Sequence, residues 1–482
     1  MKPGSSFRHK AAALRVVPAL LGLAVLAIVV CVLLLWADPI APLLLIAGAV
    51  GAAVTLVLLQ APQTAFHVAL FLTLLPHGLR PPPFEVLYTI AVNAAVMLAL
   101  ASWILQSGMR LQSMVLGRTG LALACFIAWA LVTSSWAESL VDARRTLVAF
   151  AINFTVFMLI SNQVRDVRAI DGLMTVLRIL GWIMVAAGVY AFVDGGLRFG
   201  SRLKIFGMNE NDYGLTLIAM IPGVIWPVLR QSGPRRKLGM ALSAVFTICA
   251  MVLIALTGSR GSSLSLLLVL LAFAFSKPMR PWGVVGLVML SGLLVSAPFL
   301  LGSVINRFAE QDGGQLGGRD LLWTAGLRML ADVPWTGAGI GNGPLHLHNY
   351  IAALTSEFNH RSDLPTHNPF IEIGIETGVL GLCLYVNVCV SALRQFFGAE
   401  GRAGMRRPEL SGYFPLMIGI ATGYASSWIK GGGVEIHPTF FVLLALLTVP
   451  SQLAWTGQVR GGDAREPSPS APGRASLGWV EV

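Results

Sequence analysis

Long apolar runs separated by short polar connections make up most of this chain of 482 residues. A helix of about 20 apolar residues crosses the hydrocarbon core of a bilayer. Fourteen runs approach this length, at 14–35, 40–59, 65–79, 86–105, 119–136, 146–161, 172–193, 211–229, 238–257, 260–276, 282–303, 369–393, 412–429 and 435–454. Those at 65–79 and 260–276 are the weakest, so twelve is the alternative count. The pattern predicts an all-α polytopic membrane protein with 12 to 14 transmembrane helices.

One polar stretch, at 304–368, interrupts the apolar pattern. Loops of this length are usually either functional or disordered. Disorder is not expected, because the stretch contains large apolar side chains to bury, namely Trp323, Leu330, Trp335, Tyr350, Ile351 and Phe358. Its sequence RDLLWTAGLRMLADV also has the spacing of an amphipathic helix. We therefore expect a folded cap on the membrane surface.

These patterns divide the chain into transmembrane helices at 1–303, the cap at 304–368, C-terminal transmembrane helices at 369–455 and a tail at 456–482. The tail is rich in Gly, Pro and Ser and is predicted to be disordered. With the N-terminus inside, the inner connections and tails carry 21 Lys and Arg residues against 12 on the outer side, and Arg178 falls within a span. Because cytoplasmic loops are enriched in Lys and Arg, both termini are predicted to be cytoplasmic and the cap extracytoplasmic.

The composition agrees with a membrane protein: 55% of the residues are hydrophobic, 12% are charged, and the mean hydropathy is +0.74. The net charge of +11 lies mostly in the short connections, so it indicates topology and not nucleic-acid binding. All five cysteines fall inside apolar runs. Neither a disulfide framework nor a thiolate metal site is therefore indicated.

A second polar segment, from Asp194 to Gly214, precedes another span. It ends in the sequence NENDYG, which contains Asn211 and Asp212. One interpretation is a solvated loop whose Asn or Asp caps the next helix. The other is a glycan-binding groove, because outer loops on a rigid scaffold often carry binding residues.

Two arginines are candidates for binding an anion. Arg260, in TGSRGSS, lies between two abutting apolar runs, where a guanidinium is costly unless it pairs with an anion. The alternative is an arginine that snorkels towards the interface. Arg319 follows GGQLGG and starts a helical pattern, so its guanidinium and the N–H groups of the helix start would face the same region. A charge on a solvated helix face is the alternative for Arg319.

His367 is the candidate general base. It precedes Asn368 and Pro369, which together indicate a helix N-terminus with Asn at the cap and Pro in the first turn. An imidazole can take a proton from a hydroxyl near neutral pH. Glu372 and Glu376 follow on one face of the same helix. They either orient His367 or bind a sugar, or they occur there only because the helix dipole stabilises carboxylates in the first turns.

The histidines of the cap also allow a metal-site hypothesis. The side chains in question are His346, His348, His360 and His367, with Glu357 and Asp363. Their spacing matches no compact ligand motif such as HExxH. No metal is therefore expected.

The runs GGRDLLWTAGLRMLADVPWTGAGIGN and THNPFIEIGIETGVLGL resemble the signature region of bacterial O-antigen ligases and Wzy-type polysaccharide polymerases. SRG after one apolar span and NENDYG before another are also similar to that family's pattern. The resemblance covers roughly 206–384, and the stretch from Pro344 to Pro365 departs from it.

This resemblance implies a GT-C-like, metal-independent, inverting glycosyltransferase of the inner membrane that acts on the periplasmic face without a cofactor. Its donor would be an undecaprenyl-pyrophosphate-linked glycan. Arg260 and Arg319 would bind the pyrophosphate and His367 would activate the acceptor hydroxyl. The supporting residues would be Asn368, Glu372, Glu376, Asn211 and Asp212. The other partners expected are a glycan or lipid A core acceptor, membrane lipids, a flippase and a chain-length regulator, but no nucleic acid.

Three alternatives stay open. The function expected is that of a polymerase, which adds repeat units to another lipid-linked repeat, and the signature does not separate it from a ligase, which moves the finished glycan to lipid A core or another acceptor. A transporter or flippase also has 12 to 14 spans, but it would be expected to show internal repeats, which the sequence lacks. A membrane-anchored metalloenzyme rests on the histidines alone.

Overall fold

The computed structural model describes residues 51–76, 79, 85–107, 116–195, 203, 205–206, 208–296, 319–354, 364–410, 412–428 and 438–462. Within these ranges the only β-pairing is an isolated bridge between Ile205 and Met208. The helices are α1 (Gly51–Gln60), α2 (Pro62–Leu74), α3 (Glu85–Gln106), α4 (Gly117–Thr133), α5 (Leu140–Gln163), α6 (Val167–Gly195), α7 (Glu210–Arg230), α8 (Gly233–Thr257), α9 (Arg260–Phe275), α10 (Arg280–Ser296), α11 (Arg319–Asp332), α12 (Gly343–Ala352), α13 (Pro369–Phe397), α14 (Ala399–Met405), α15 (Tyr413–Trp428) and α16 (Pro438–Gly462).

Seven helices in the described part of the chain are long and apolar enough to cross a membrane: α3 to α8 and α13. The number becomes eight if the bent pair α1–α2 is one span. Two shorter apolar helices are α9 and the first part of α16, Pro438–Ala454. The predicted all-α polytopic membrane protein is thus confirmed. The total of 12 to 14 spans stays a prediction, because segments such as 1–50 lie outside the described residues.

Helices α1 to α3 belong to one compact unit. Helices α1 and α2 are bent by 119° relative to each other. Pro62 in the first turn of α2 explains this break, because proline has no N–H to donate to the preceding turn. The Ser102 hydroxyl of α3 lies 3.0 Å from Leu58 O and 2.9 Å from Leu59 O, beside the break. The run at 65–79 is therefore not a straight span of its own.

Helices α4 to α16 belong to the second unit, in which α4 packs on α13, α6 on α7, α9 on α15 and α5 on α16. Aromatic rings connect four of these helices. The ring centroid of Phe126 in α4 lies 5.3 Å from that of Phe150 in α5 and 5.5 Å from that of Tyr385 in α13. Phe440 of α16 lies 6.1 Å from Tyr385. This packing holds α13 rigidly among its neighbours.

The described part of the cap contains two helices, α11 and α12. They pack on the start of α13 around an apolar cluster of Leu322, Ala325, Met329, Leu347, Ile351 and Ile375. The amphipathic helix predicted from RDLLWTAGLRMLADV is confirmed as α11. A side chain at Gly326 would lie 2.6 Å from Ile371 Cγ2, so this glycine sets how closely α11 approaches α13. Residues 304–318 and 355–363 of the predicted cap lie outside the described residues.

The connection between α11 and α12 is hydrogen-bonded to a break in α13 at Gly378, where φ is 70° and ψ is −177°. In a continuous helix Val379 N would donate to Ile375 O. Here Val379 N donates instead to Pro334 O (2.7 Å), and Ile375 O accepts from Ala338 N (2.8 Å). The next two carbonyls, of residues 376 and 377, accept from Gly339 N (2.9 Å) and from Trp129 Nε1 (2.9 Å). The backbone groups that lose their helical partners at the break thus form hydrogen bonds with the cap and with Trp129.

The same connection also contacts the turn between α4 and α5. Asn342 Oδ1 accepts from Ser139 N at 2.6 Å, and its Nδ2 donates to Ser139 O at 3.2 Å. Ile340 N donates to the Thr133 hydroxyl at 3.3 Å. A side chain at Gly341, whose φ is +74°, would lie 2.8 Å from Asp142 O. The cap therefore lies on the side of the bundle where α4 ends and α5 begins, here called the cap side.

Two features near the C-terminus were not predicted. The connection after α13 contains the short helix α14. Helix α16 continues to Gly462, past the predicted boundary at 455, so the first residues of the predicted tail are helical. The remaining tail, at 463–482, lies outside the described residues.

We expect the cap side to be extracytoplasmic. In a variant without the five native cysteines, Arg328→Cys on α11 should react with a membrane-impermeant maleimide in spheroplasts. Lys237→Cys, at the start of α8, should react only after permeabilisation, because Lys and Arg mark the cytoplasmic side. Both positions are exposed in the structure. Labelling of both positions from the same side would contradict this topology.

Gly378→Ala should destabilise the protein. The φ and ψ of Gly378 belong to a region that is essentially restricted to glycine, and a Cβ there would lie 2.3 Å from Trp335 O. Gly233→Ala is the matched control, because Gly233 also has a positive φ, of +63°, but nothing lies within 4 Å of an added Cβ. The positive φ costs about 1–2 kcal/mol in either variant. Thermal unfolding in detergent should show the larger loss for Gly378→Ala, whereas equal losses would exclude an effect of the cap contact.

Candidate active site

Thr366, His367 and Asn368 form the turn that leads from the cap into α13. Asn368 caps the helix, since its Oδ1 accepts from Phe370 N at 3.0 Å and from Ile371 N at 3.3 Å. Pro369 occupies the first turn, where its missing N–H is not needed. The helix start predicted from the sequence HNP is therefore correct, and it fixes His367 at the cap-side end of α13.

His367 has a φ of +55°, in the left-handed region that few residues other than glycine occupy. This conformation costs about 1–2 kcal/mol and persists only where neighbours hold it. The Thr366 hydroxyl lies 3.0 Å from Asn368 O and accepts from Asn368 N at 3.3 Å, so it bridges the turn on both sides of His367. Backbone strain of this kind is typical of residues with a function.

Glu372 and Trp323 support the turn from opposite sides. The Glu372 side chain is buried, with 4% of its surface exposed, and its Oε2 lies 3.0 Å from Thr366 Oγ1. Trp323 of α11 donates from Nε1 to Thr366 O at 3.1 Å. Glu372 thus positions the turn that carries His367. Thr366 could not be predicted from the sequence, because a threonine two residues before a helix cap has no distinctive pattern.

Arg319, the first residue of α11, acts electrostatically on His367. Burial, and then the positive charge of Arg319, lower the pKa of the His367 imidazole from its ordinary value of 6.5. The ring is therefore neutral at pH 7 and can accept a proton. Arg319 also lies at the positive end of the α11 dipole. The structure thus brings a neutral imidazole within electrostatic reach of a guanidinium.

Glu376 lies one turn after Glu372 on α13 and is also buried, with 4% of its surface exposed. Its Oε1 accepts from Gly343 N, at the start of α12, at 3.2 Å. The first N–H groups of a helix lack partners within the helix, and a carboxylate is favoured there by the helix dipole. Glu376 therefore fastens α12 to α13.

Arg260 and the second polar segment, which are distant in sequence, meet in the structure. Ser259 caps α9, accepting from Ser262 N at 3.2 Å, and its hydroxyl is 2.6 Å from Asn211 Oδ1. The Ser262 hydroxyl donates to Asn211 O at 3.2 Å. A side chain at Gly214 would lie 2.4 Å from Ser262 Oγ, so only glycine permits this approach. Asn211 therefore joins the start of α7 to the start of α9, where Arg260 lies.

The helix cap predicted in NENDYG is Asn209, whose Oδ1 accepts from Asn211 N at 2.9 Å. Asp212 lies in the first turn of α7, beside the residues that contact α9. The role of Ser259 as the partner of Asn211 could not be predicted, because the sequence does not show which two helix starts are adjacent.

The candidate residues thus form two groups. One has Arg319 at the start of α11 and His367 just before α13, and the other has Arg260, Asn211 and Asp212 at the starts of α9 and α7. Both groups lie on the cap side. Helix α5 begins there, and successive spans alternate in direction, so α7 and α9 also begin there. The N-terminal N–H groups of α7 and α9 and the two guanidinium groups therefore lie on the same side of the bundle.

Among the described residues, the histidines of the metal-site hypothesis do not cluster as metal ligands. No group of three or more His, Cys, Asp and Glu side chains that could hold a metal ion occurs among those residues. His346 Nε2 instead lies 3.4 Å from Glu138 Oε2, on the turn between α4 and α5. His360, Glu357 and Asp363 lie outside the described residues. The contact of His346 indicates a role in docking α12.

Residues 243–386 match the family described as O-antigen ligase. The match runs from α8 through most of α13 and covers less than a third of the chain. It includes Arg260, Arg319, His367, Asn368, Glu372 and Glu376, whereas Asn211 and Asp212 precede it. A comparison with curated proteins gave no match. The resemblance predicted from the motif residues is confirmed: residues 243–386 of this multi-pass membrane protein form an O-antigen ligase family domain.

Proposed function

We propose that this protein is a polymerase that joins undecaprenyl-pyrophosphate-linked oligosaccharide repeat units at the periplasmic face of the inner membrane. The observation that carries the proposal is the neutral His367, held in a strained turn beside the positive charge of Arg319. The family domain supports lipid-linked glycan substrates. A base beside an anion site suits the transfer of a glycan from a pyrophosphate to a hydroxyl.

His367 accepts the proton of an acceptor hydroxyl as its oxygen attacks the anomeric carbon of the donor. The bond between this carbon and the pyrophosphate oxygen breaks, and its electron pair leaves with the pyrophosphate. Attack from the face opposite the leaving group inverts the anomeric configuration. A general base contributes about 10²- to 10⁴-fold to such a step.

Arg319 and Arg260 stabilise the leaving group. Negative charge grows on the pyrophosphate as the glycosidic bond breaks, and preorganised positive groups stabilise this charge. A guanidinium can bind two phosphate oxygens at once. Burial, and then the same charge on Arg319, lower the pKa of His367 and favour its neutral form before the donor binds. Arginine thereby performs the neutralisation that a divalent cation performs in other glycosyltransferases, so the proposed reaction is independent of metal.

A ligase is the second candidate, because the matching family is described by that activity. Both enzymes would use the same donor, base and anion site, and they differ in the acceptor. Purified protein supplied with the lipid-linked donor should extend a second lipid-linked repeat if it is a polymerase. It should modify lipid A core, and not the lipid-linked repeat, if it is a ligase.

Arg319→Ala and Arg260→Ala should each abolish glycan extension while leaving membrane insertion intact. Each variant removes charge that the pyrophosphate needs in the transition state. Lysine at either position should restore activity only in part, because it lacks the bidentate geometry of arginine. Arg328→Ala, on an exposed face of the same α11, is the matched control and should be near wild type. Wild-type glycan length in cells with Arg319→Ala would exclude the role of that residue.

His367→Ala should lower transfer by about 10²- to 10⁴-fold and leave donor binding intact, because the base acts only in the chemical step. His346→Ala and His348→Ala should have far smaller effects, and transfer should persist in EDTA. Donor binding and transfer should be measured in parallel on purified protein. Transfer that is lost on chelation, or a His346 or His348 variant as inactive as His367→Ala, would favour the metalloenzyme alternative. Lipid translocation without transfer would favour a flippase.

A further inference from the structure

Arg178 lies inside the transmembrane helix α6, eleven residues after its first residue, Val167. At 1.5 Å per residue, its Cα is about 16 Å along a helix whose span must cover about 30 Å of hydrocarbon. A charged side chain at this depth is costly, and such residues usually have a specific partner. The proposed transfer reaction does not use Arg178.

Arg178 lines a groove of about 430 Å³ on the surface of the helix bundle, between α6 and α8. Four apolar side chains on one stripe of α6 and one from α8 complete the lining: Ile179, Trp182, Ile183, Ala186 and Leu242. Ile179 and Leu242 are each 48% exposed. At a depth within a bilayer, such a surface is in contact with lipid chains. The groove therefore combines one cation with walls suited to an acyl chain.

No residue that the structure describes forms a hydrogen bond or an ion pair with Arg178. The acidic residue Asp171 lies two turns earlier on α6, but its carboxylate already has two partners. Its Oδ1 accepts from Trp226 Nε1 at 2.7 Å and lies 3.5 Å from Arg230 Nε. Within the described residues, the guanidinium thus has no carboxylate partner, which leaves it available for an anion from outside the chain.

The position of Arg178 on α6 determines how deep in the membrane this anion would bind. Side chains on a helix lean towards its N-terminus, so the Arg178 side chain is directed towards the end where α6 begins. Asp171 lies seven residues, or about 10 Å, nearer to that end. An arginine can extend over most of this distance and bring its guanidinium towards the headgroup region. The groove then extends from the headgroup region into the hydrocarbon.

Three exposed cations, Arg235, Arg236 and Lys237, lie within the first five residues of α8, which begins on the same side of the bundle as α6. The dipole at a helix N-terminus disfavours cations, so intrahelical stability does not account for them. Clusters of basic residues at the end of a span attract anionic lipids. These cations would draw anionic lipids to the side of the bundle towards which the Arg178 side chain leans.

We infer that the groove between α6 and α8 binds an anionic phospholipid of the cytoplasmic leaflet. Its phosphate pairs with Arg178, and an acyl chain lies along Trp182 and Ile183. The lipid is distinct from the glycan donor, because the proposed transfer site lies on the cap side, whereas the Arg178 side chain leans towards the opposite side, where α6 begins. The bound lipid would stabilise the packing of α6 against α8.

The test is native mass spectrometry of the full-length purified protein with phosphatidylglycerol, phosphatidylcholine and undecaprenyl phosphate as separate ligands. Wild-type protein should retain phosphatidylglycerol in preference to phosphatidylcholine and should gain thermal stability from it. Arg178→Gln should weaken phosphatidylglycerol binding by at least about fivefold, which corresponds to about 1 kcal/mol for one arginine near an anionic lipid. Arg178→Lys should retain part of the preference.

Two further variants separate this site from general effects. Leu242→Trp fills the groove without changing the charge and should also reduce phosphatidylglycerol binding. Arg328→Gln removes an exposed arginine on the cap and should leave that binding unchanged. Arg178→Gln removes a charge from a span, so its insertion should not be impaired. Equal retention of phosphatidylglycerol by wild type and Arg178→Gln, no preference over phosphatidylcholine, or preferred binding of undecaprenyl phosphate would overturn the inference.

Discussion

The exchange of backbone hydrogen bonds at Gly378 is the constraint on which the arrangement of the site depends. A break within a helix leaves carbonyl and N–H groups without partners in that helix, and a buried backbone group without a partner is costly. Here the connection between α11 and α12 supplies the partners for Ile375 O and Val379 N. Trp129 of α4 supplies another, for Thr377 O. The break in α13 and the docking of the cap therefore stabilise each other.

This docking determines what the start of α13 can do. Because α11 is held against α13, Arg319 lies close enough to His367 to lower the pKa of its imidazole. Trp323 of α11 and Glu372 of α13 hold the turn between them. The second guanidinium, of Arg260, is positioned separately by the contact between the starts of α7 and α9. A histidine with a fixed position and two cations on one side are the elements that the proposed transfer from a pyrophosphate requires.

The sequence predicted the elements of this site better than their contacts. Hydropathy located most of the spans, and local patterns located α11 and the cap at Asn368, because both depend on neighbouring residues. The bend before Pro62 and the helical start of the predicted tail were missed. The roles of Thr366, Ser259 and the carboxylates of Glu372 and Glu376 were missed or left open. These roles depend on contacts between segments distant in the chain, which hydrophobic periodicity does not specify.

The central claim is that His367 acts as a base whose pKa is lowered by burial and by Arg319. The most direct measurement is kcat/KM for glycan transfer as a function of pH, which reports the ionisation of the free enzyme. Transfer by wild-type protein should fall only when the pH drops below 6.5, because the pKa lies below that value. Arg319→Lys keeps the charge and should keep this dependence. A profile of kcat/KM that does not fall at acidic pH would contradict the account. So would an acidic fall that persists unchanged in His367→Gln.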